Sequence, residues 1–294
     1  MSAERSPVAG KRYGIERVCR ITGFPRSSFY FKKRESKSEP KKRGPKPSIT
    51  DARLYEIIKE DLSVSSFSGE GHRKVWARLK YGQGHRVSRK RVLRIMRERN
   101  LLSPHRRPQG GPNRHEGEII TKRPNEMWGT DGTKVFTLKD GYAWIFTAME
   151  HWNGECVGVH VSKRGDRFAA MEPVLMGINA QFGRPGADIA RGLSLRMDHG
   201  SQYLSDHFQK QIRFLGIVPS FAFLREPETN GVAERFFRTL KEQIVYGKTF
   251  GDVEELREAV TGFVELYNRE WRLEKIGFMS PLEARKAHEV KLAA

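Results

Sequence analysis

MDHGSQYLSDHF, residues 197–208, and NGVAERFFRTLKEQ, residues 230–243, are the stretches that decide the fold. Asp198 follows a short apolar run, Leu193-Ser194-Leu195-Arg196-Met197, which predicts a strand. Glu234 sits in the first turns of a helix that Asn230-Gly231 announces. Thirty-five residues lie between the two carboxylates. A third acid, Asp131, closes a strand-like run of its own, Met127-Trp128-Gly129-Thr130. Acids at the ends of neighbouring strands can converge at one edge of a sheet.

Around these stretches the periodicity predicts strands at 127–136, 142–149, 156–161, 193–197 and 218–223. Helices are predicted at 168–182, 206–215, 231–246 and 253–268. Three antiparallel strands followed by alternating strands and helices make a mixed, three-layer α/β domain. On the Glu234 helix, at about 100° per residue, Arg238 and Lys241 fall within about 40° of the glutamate. Phe236, Phe237, Leu240 and Ile244 point the other way, toward a core. A single such face is commonly just solvated; three acids in strand, strand and helix contexts make a stronger pattern.

Upstream the character changes. The net charge of +19 belongs to residues 1–124, which hold 32 Lys+Arg against 12 Asp+Glu; the remainder holds 22 against 23. Such a field attracts phosphate polymers through counterion release. Residues 13–33 read as two short helices around Thr22-Gly23-Phe24, with Arg26 and Ser27 opening the second, in the pattern of a helix-turn-helix. Leu54, Ile57, Ile58 and Leu62 start another helical block, and Ser88 caps a helix that buries Val92, Ile95 and Met96. Lys90, Arg94 and Arg97 line its other side, as docking on DNA requires. Residues 35–48 and 105–124 are charged, Pro- and Gly-interrupted linkers. The predicted domains are therefore 1–34, 49–104 and a core at 125–287, with a tail at 288–294. Cys19 and Cys156 suggest no disulfide or zinc framework, and no apolar run has the length of a membrane span. A soluble protein of a reducing, cytosolic compartment is expected.

Three carboxylates from three elements suit magnesium or manganese, which take oxygen ligands and leave positions for phosphates. Two such ions can serve in-line displacement at phosphorus without a protein nucleophile. The words Trp128-Gly129-Thr130-Asp131, Asp198-His199-Gly200-Ser201-Gln202-Tyr203 and Asn230-Gly231-Val232-Ala233-Glu234-Arg235-Phe236-Phe237 resemble the catalytic core of retroviral-integrase-like transposases. The closer likeness is to bacterial insertion-sequence transposases of family three, over residues 124–287, with Tyr267-Asn268 and Ser280-Pro281-Leu282-Glu283 near its end. The block at 69–104 is similar to that family's pre-core helix-turn-helix.

The resemblance implies an RNase-H-like five-stranded core and a DDE transposase. It would bind the terminal inverted repeats of a mobile element, cleave there, and join 3′-hydroxyl ends to target DNA as a homo-oligomer on paired ends. Asp131, Asp198 and Glu234 would be the catalytic metal ligands, and Lys241 would contact DNA near the reacting end. Gln202 and Asn230 would orient substrate or the acids. The alternatives are a non-catalytic DNA-binding regulator and an RNase-H-like nuclease that cuts without joining. Trp271 and Leu273 stand where the family pattern has Arg and His, and Met197 where a small polar residue is common; both departures bear on end-specific contacts.

Overall fold

The structure, a computed structural model, describes residues 3–34, 47–103, 119–221 and 231–293. The predicted linker stretches at 35–46 and 105–118, and Asn230, lie outside the described residues. The chain forms two compact units, Met1–Thr50 and Asp51–Ala294. No helix among the described residues is long and apolar enough to cross a membrane.

In the first unit, α1 (Ile15–Thr22) ends at Gly23, whose φ of 66° gives the left-handed cap that a side chain would resist. Helix α2 (Arg26–Arg34) follows. Arg26 and Ser27 are both exposed, and Arg26 approaches Glu16 at 3.5 Å.

The second unit holds α3 (Asp51–Val64), α4 (His72–Ala77) and α5 (Arg89–Glu98) together with the whole sheet domain. Ser88 caps α5 by accepting the Arg91 N–H at 3.3 Å, and Val92, Ile95 and Met96 are buried, as the periodicity requires. Residues 51–103 pack against the core within the same unit. Phe67, between α3 and α4, is buried in the core cluster against Phe263 and Trp271. Ser66 donates to Glu270 at 2.9 Å, and Gln243 grips the Ser68 backbone through both amide atoms, at 2.9 and 2.8 Å. A buried aromatic with polar contacts around it fixes the block to the core.

The sheet has the order β3-β2-β1-β4-β5. Strands β1 (Met127–Thr137), β2 (Gly141–Glu150) and β3 (Cys156–Ser162) form an antiparallel meander. Strands β4 (Ser194–Met197) and β5 (Val218–Phe221) add in parallel beside β1. This is the mixed five-stranded sheet expected from the pattern. Helices α6 (Arg167–Phe182), α7 (Ser201–Leu204) and α8 (Asp206–Phe214) accompany one face, and α9 (Gly231–Leu240) and α10 (Val253–Glu270) the other. Side chains alternate across β1, so Trp128 enters the α6 layer while Val135 enters the α9–α10 layer. At Gly158 a Cβ would stand 1.9 Å from the Pro173 carbonyl oxygen, so glycine there lets α6 lie against β3.

Two expectations need correction. The helix predicted to run to Tyr246 is α-helical only to Leu240 and then widens into a π-helical turn, Lys241–Val245, closed by Tyr246 N–H on the Lys241 carbonyl at 2.8 Å. The tail predicted from residue 288 is the end of α11 (Pro281–Ala293). That helix begins with a capping box: Ser280 Oγ accepts the Glu283 N–H at 3.3 Å, and Glu283 accepts the Ser280 N–H at 2.9 Å.

Candidate active site

Asp131 lies within β1, paired across the ladder with Thr147 of β2. It does not end its strand, because β2 pairs with β1 all the way to Thr137. On the other side, however, β4 is short, and the last β1–β4 pair is Gly129 with Arg196. Two residues further along each chain are Asp131 and Asp198. With a side-chain period of two, both acids leave the sheet on the face of Gly129 and Arg196, just where the parallel pairing stops. That is the face covered by α9, whose Ala233, Phe236, Phe237 and Leu240 join the cluster of Val135 and Ile145. Glu234 occupies the first turn of α9.

The acids feel one another. Burial is the first cause that pushes the Asp131 carboxyl up, to about 6; the negative charges of Asp198 and Glu234 push the same way. The Gly132 N–H, donated to Asp131 Oδ1 at 2.7 Å, and the cationic Lys241 pull it back. Asp198 Oδ1 accepts the Gly200 N–H at 2.8 Å. A Cβ on Gly200 would stand 2.5 Å from Gln202 Nε2 and 2.9 Å from Asp198 Oδ1, which places Gln202 beside the second acid. Below them the buried Tyr203 hydroxyl lies against Thr130 and Gln202.

Among the described residues, no three His, Cys, Asp or Glu side chains stand close enough to hold a single ion as placed. Asp131, Asp198 and Glu234 are electrostatic neighbours rather than a closed shell. The donor set itself is oxygen-only, partly desolvated and negative in excess, which is the chemistry that suits a hard divalent cation.

The remaining predicted contacts divide. Lys241 is half-buried and directs its charge at Asp131, whereas Arg238 is exposed. Lys90 and Arg97 are exposed on α5. Arg94 is exposed too but engaged, at 2.6 Å from Asp51 and 3.2 Å from Glu98. Exposed pairs of this kind hold by about 0–1 kcal/mol, so a phosphate can displace them.

The sequence reading missed Thr147. It is fully buried opposite Asp131, and its hydroxyl has no hydrogen-bond partner among the described residues. The signal was a polar residue inside the otherwise apolar run 142–149. The departures from the family pattern are structural. Met197 is buried in the α6 layer, and Trp271 is core against Phe67 and Tyr267. Arg272, next to it, pairs with Glu283.

Comparison with known proteins matches families over both the helical block and the sheet domain. One integrase core domain family matches residues 121–227 and a second integrase core domain family residues 234–288; an HTH-like domain family matches residues 53–109. The two core matches together span more than half of the chain. The chain belongs to the integrase core family. As a member it is a DDE polynucleotidyl transferase of the transposase and integrase kind. Among its relatives, the transposase for insertion sequence element IS629 of Shigella sonnei is 24% identical, over 95% of this chain and 93% of that one. The transposase InsD for insertion element IS2D of Escherichia coli K12 is 29% identical, over 72% of each chain. Among solved structures, the catalytic core domain of BIV integrase is 20% identical, with a TM-score of 0.43, covering 58% of this chain and 99% of that one.

Proposed function

We propose that the chain is a DNA transposase that binds the terminal inverted repeats of its own mobile element, cleaves DNA strands there, and joins the 3′-hydroxyl ends to target DNA. The observation that supports this reading is the register of β1 and β4, whose last pair, Gly129 with Arg196, lies two residues before Asp131 and Asp198, on the face that α9 covers and on which Glu234 opens that helix. Asp131 and Asp198 would hold divalent cations from the sheet, and Glu234 would complete the shell from α9. Bound there, two magnesium or manganese ions would supply the charge that activates the attacking oxygen and stabilises the leaving one.

The chain's own groups do the rest. Gly132 and Gly200 N–H groups fix one oxygen of each aspartate, so the remaining oxygens are aimed before substrate arrives. Lys241, beside Asp131, neutralises phosphate at the reacting end, and Arg238 extends that contact along the strand. Gln202 steadies Asp198, and Asn230 would act on the same group from the start of α9. Lys90, Arg94 and Arg97 on α5, and Arg26 and Ser27 on α2 of the other unit, hold duplex DNA. Two element ends must meet before joining, which favours a homo-oligomer on paired ends. A protein with these partners works at the nucleoid, in the cytoplasm.

The test is incubation of wild type and Asp198→Asn with terminal DNA of the element and Mg²⁺. Products joined to target with wild type, and binding without chemistry with the variant, support the reading. Free cut ends alone would make the protein a nuclease, and binding without any product a regulator. Equal product from both proteins would remove Asp198 from the mechanism.

A further inference from the structure

A cavity of about 820 Å³ opens within the second unit, between α4, the start of α9 and the end of α10. It is lined by Arg73, Arg235, Arg272, Lys275 and Glu274, with Trp271 as an aromatic wall. Lys74 lines it too, so five cations face a single carboxylate. Arg73 is paired with Glu274, and Arg272 with Glu283. Arg235 and Lys275 have no carboxylate pair among the described residues. The Lys275 stem is exposed, but its ammonium turns inward and donates to the His151 carbonyl at 2.8 Å. Burial, and then repulsion from Arg235, bring its pKa down to about 8, with Glu150 acting the other way. Two cations without a carboxylate pair repel one another across the cavity.

We infer that this cavity is a phosphate-binding site, in which Arg235 and Lys275 together hold one phosphate anion. Arg235 offers planar paired N–H donors and Lys275 a point charge, a combination suited to a tetrahedral oxyanion. A DNA backbone phosphate and a free phosphate anion share this chemistry. The site is separate from the three acids, since none of them lines it, and it stands whether or not the acids hold metal.

The test uses the full chain as wild type, Arg235→Gln, Lys275→Gln and, as a charge-matched control on α11, Lys286→Gln. Two probes are applied: a short duplex of arbitrary sequence, titrated over a range of salt, and inorganic phosphate in a thermal melt at constant ionic strength. With a DNA phosphate in the cavity, Arg235→Gln and Lys275→Gln each bind duplex about tenfold more weakly, the scale of one charge-assisted hydrogen bond. The salt slope of each also falls by about one. With a free anion, inorganic phosphate raises the melting temperature of wild type and control but not of the two variants. The inference is overturned if both variants match wild type in both assays, or if Lys286→Gln loses as much as they do. Arg235 is an exposed side chain, so its variant keeps the test decisive even if Lys275→Gln folds poorly.

Discussion

Asp131 and Asp198 each lie two residues beyond the last β1–β4 pair, Gly129 with Arg196, and the side-chain period of two gives them one face of the sheet. Two carboxylates placed this way, with a third on the covering helix, oppose one another until something positive separates them. The site is therefore a liability to the fold and an asset to catalysis.

That liability is measurable. Asp131 is raised to about 6 from the model-compound value of 3.8, so between those values the folded chain holds a proton that the unfolded chain has lost. Stability then falls as pH rises through that window, and the penalty is full above about pH 6. Asp131→Asn removes it. Without divalent metal, the variant should be about 1–3 kcal/mol more stable than wild type at pH 7.5 and equal to it near pH 4. The upper figure assumes complete burial, and Asp131 is half-buried, so a value near the lower end is expected. Chemical denaturation across pH checks this; a constant difference at all pH values would detach the effect from titration. Added Mg²⁺ should stabilise wild type and leave the variant nearly unmoved.

Thr147→Val separates support from ligation. The hydroxyl is buried opposite Asp131 with no partner among the described residues, so its loss should cost little stability and can raise it. As the donor facing the acid from β2, it should steady Asp131 once a cation draws the carboxylate into place. The expected outcome is an unchanged melting temperature without metal and an Mg²⁺ requirement for strand cleavage raised about tenfold, a typical cost of losing support behind a ligand. An unchanged metal titration would leave Thr147 a packing residue.

Gly200→Ala tests the other acid. The new methyl would meet Gln202 Nε2 at 2.5 Å and Asp198 Oδ1 at 2.9 Å. Gln202 can swing aside, but the Asp198 oxygen is held by the Gly200 N–H and must shift. Cleavage should fall by about 10²-fold, as small displacements of reacting groups do, while duplex binding stays within about twofold. A variant with full activity would show that Asp198 tolerates displacement.

The sheet was legible because β1 to β3 carry long apolar and alternating runs between turn residues, and Asp131, Asp198 and Glu234 stood out by their contexts. What was not legible depends on contacts between elements. Whether Asp131 ends a strand depends on which neighbour is asked, and only the short β4 gives it an edge. Thr147 looks like one polar residue in a buried strand until the register puts it across from an acid. The π-helical turn after Leu240 has no signal in composition; it coincides with the place where Gln243 reaches the Ser68 backbone. Phe67 reads as a loop aromatic between Ser-rich neighbours, and its insertion into the core is purely tertiary.

That insertion leads to a prediction about how the helical block and the core work together. Phe67 packs edge-on against Trp271, with ring centroids 4.7 Å apart, and Trp271 stacks with Tyr267, which donates to the Gly154 carbonyl at 3.1 Å. Lys74 of α4 lies over the Trp271 ring. Trp271 stands where the family pattern has Arg, so restoring that residue is a direct test of what the departure does. Trp271→Arg would put a guanidinium among Phe67, Phe263 and Tyr267 with Lys74 above it, replacing an attractive cation–aromatic contact by repulsion at a largely buried position. It should cost about 3–5 kcal/mol, as should Phe67→Ala through the cavity it leaves. The two variants should differ in a second readout. Phe67→Ala frees residues 51–103 from the core and should expose the 65–70 segment to protease while the sheet domain stays protected. Trp271→Arg disturbs α10 itself and should lower protection of both parts together. Limited proteolysis under native conditions distinguishes the patterns; equal protection of the 65–70 segment in Phe67→Ala and wild type would mean that the polar contacts alone hold the block in place.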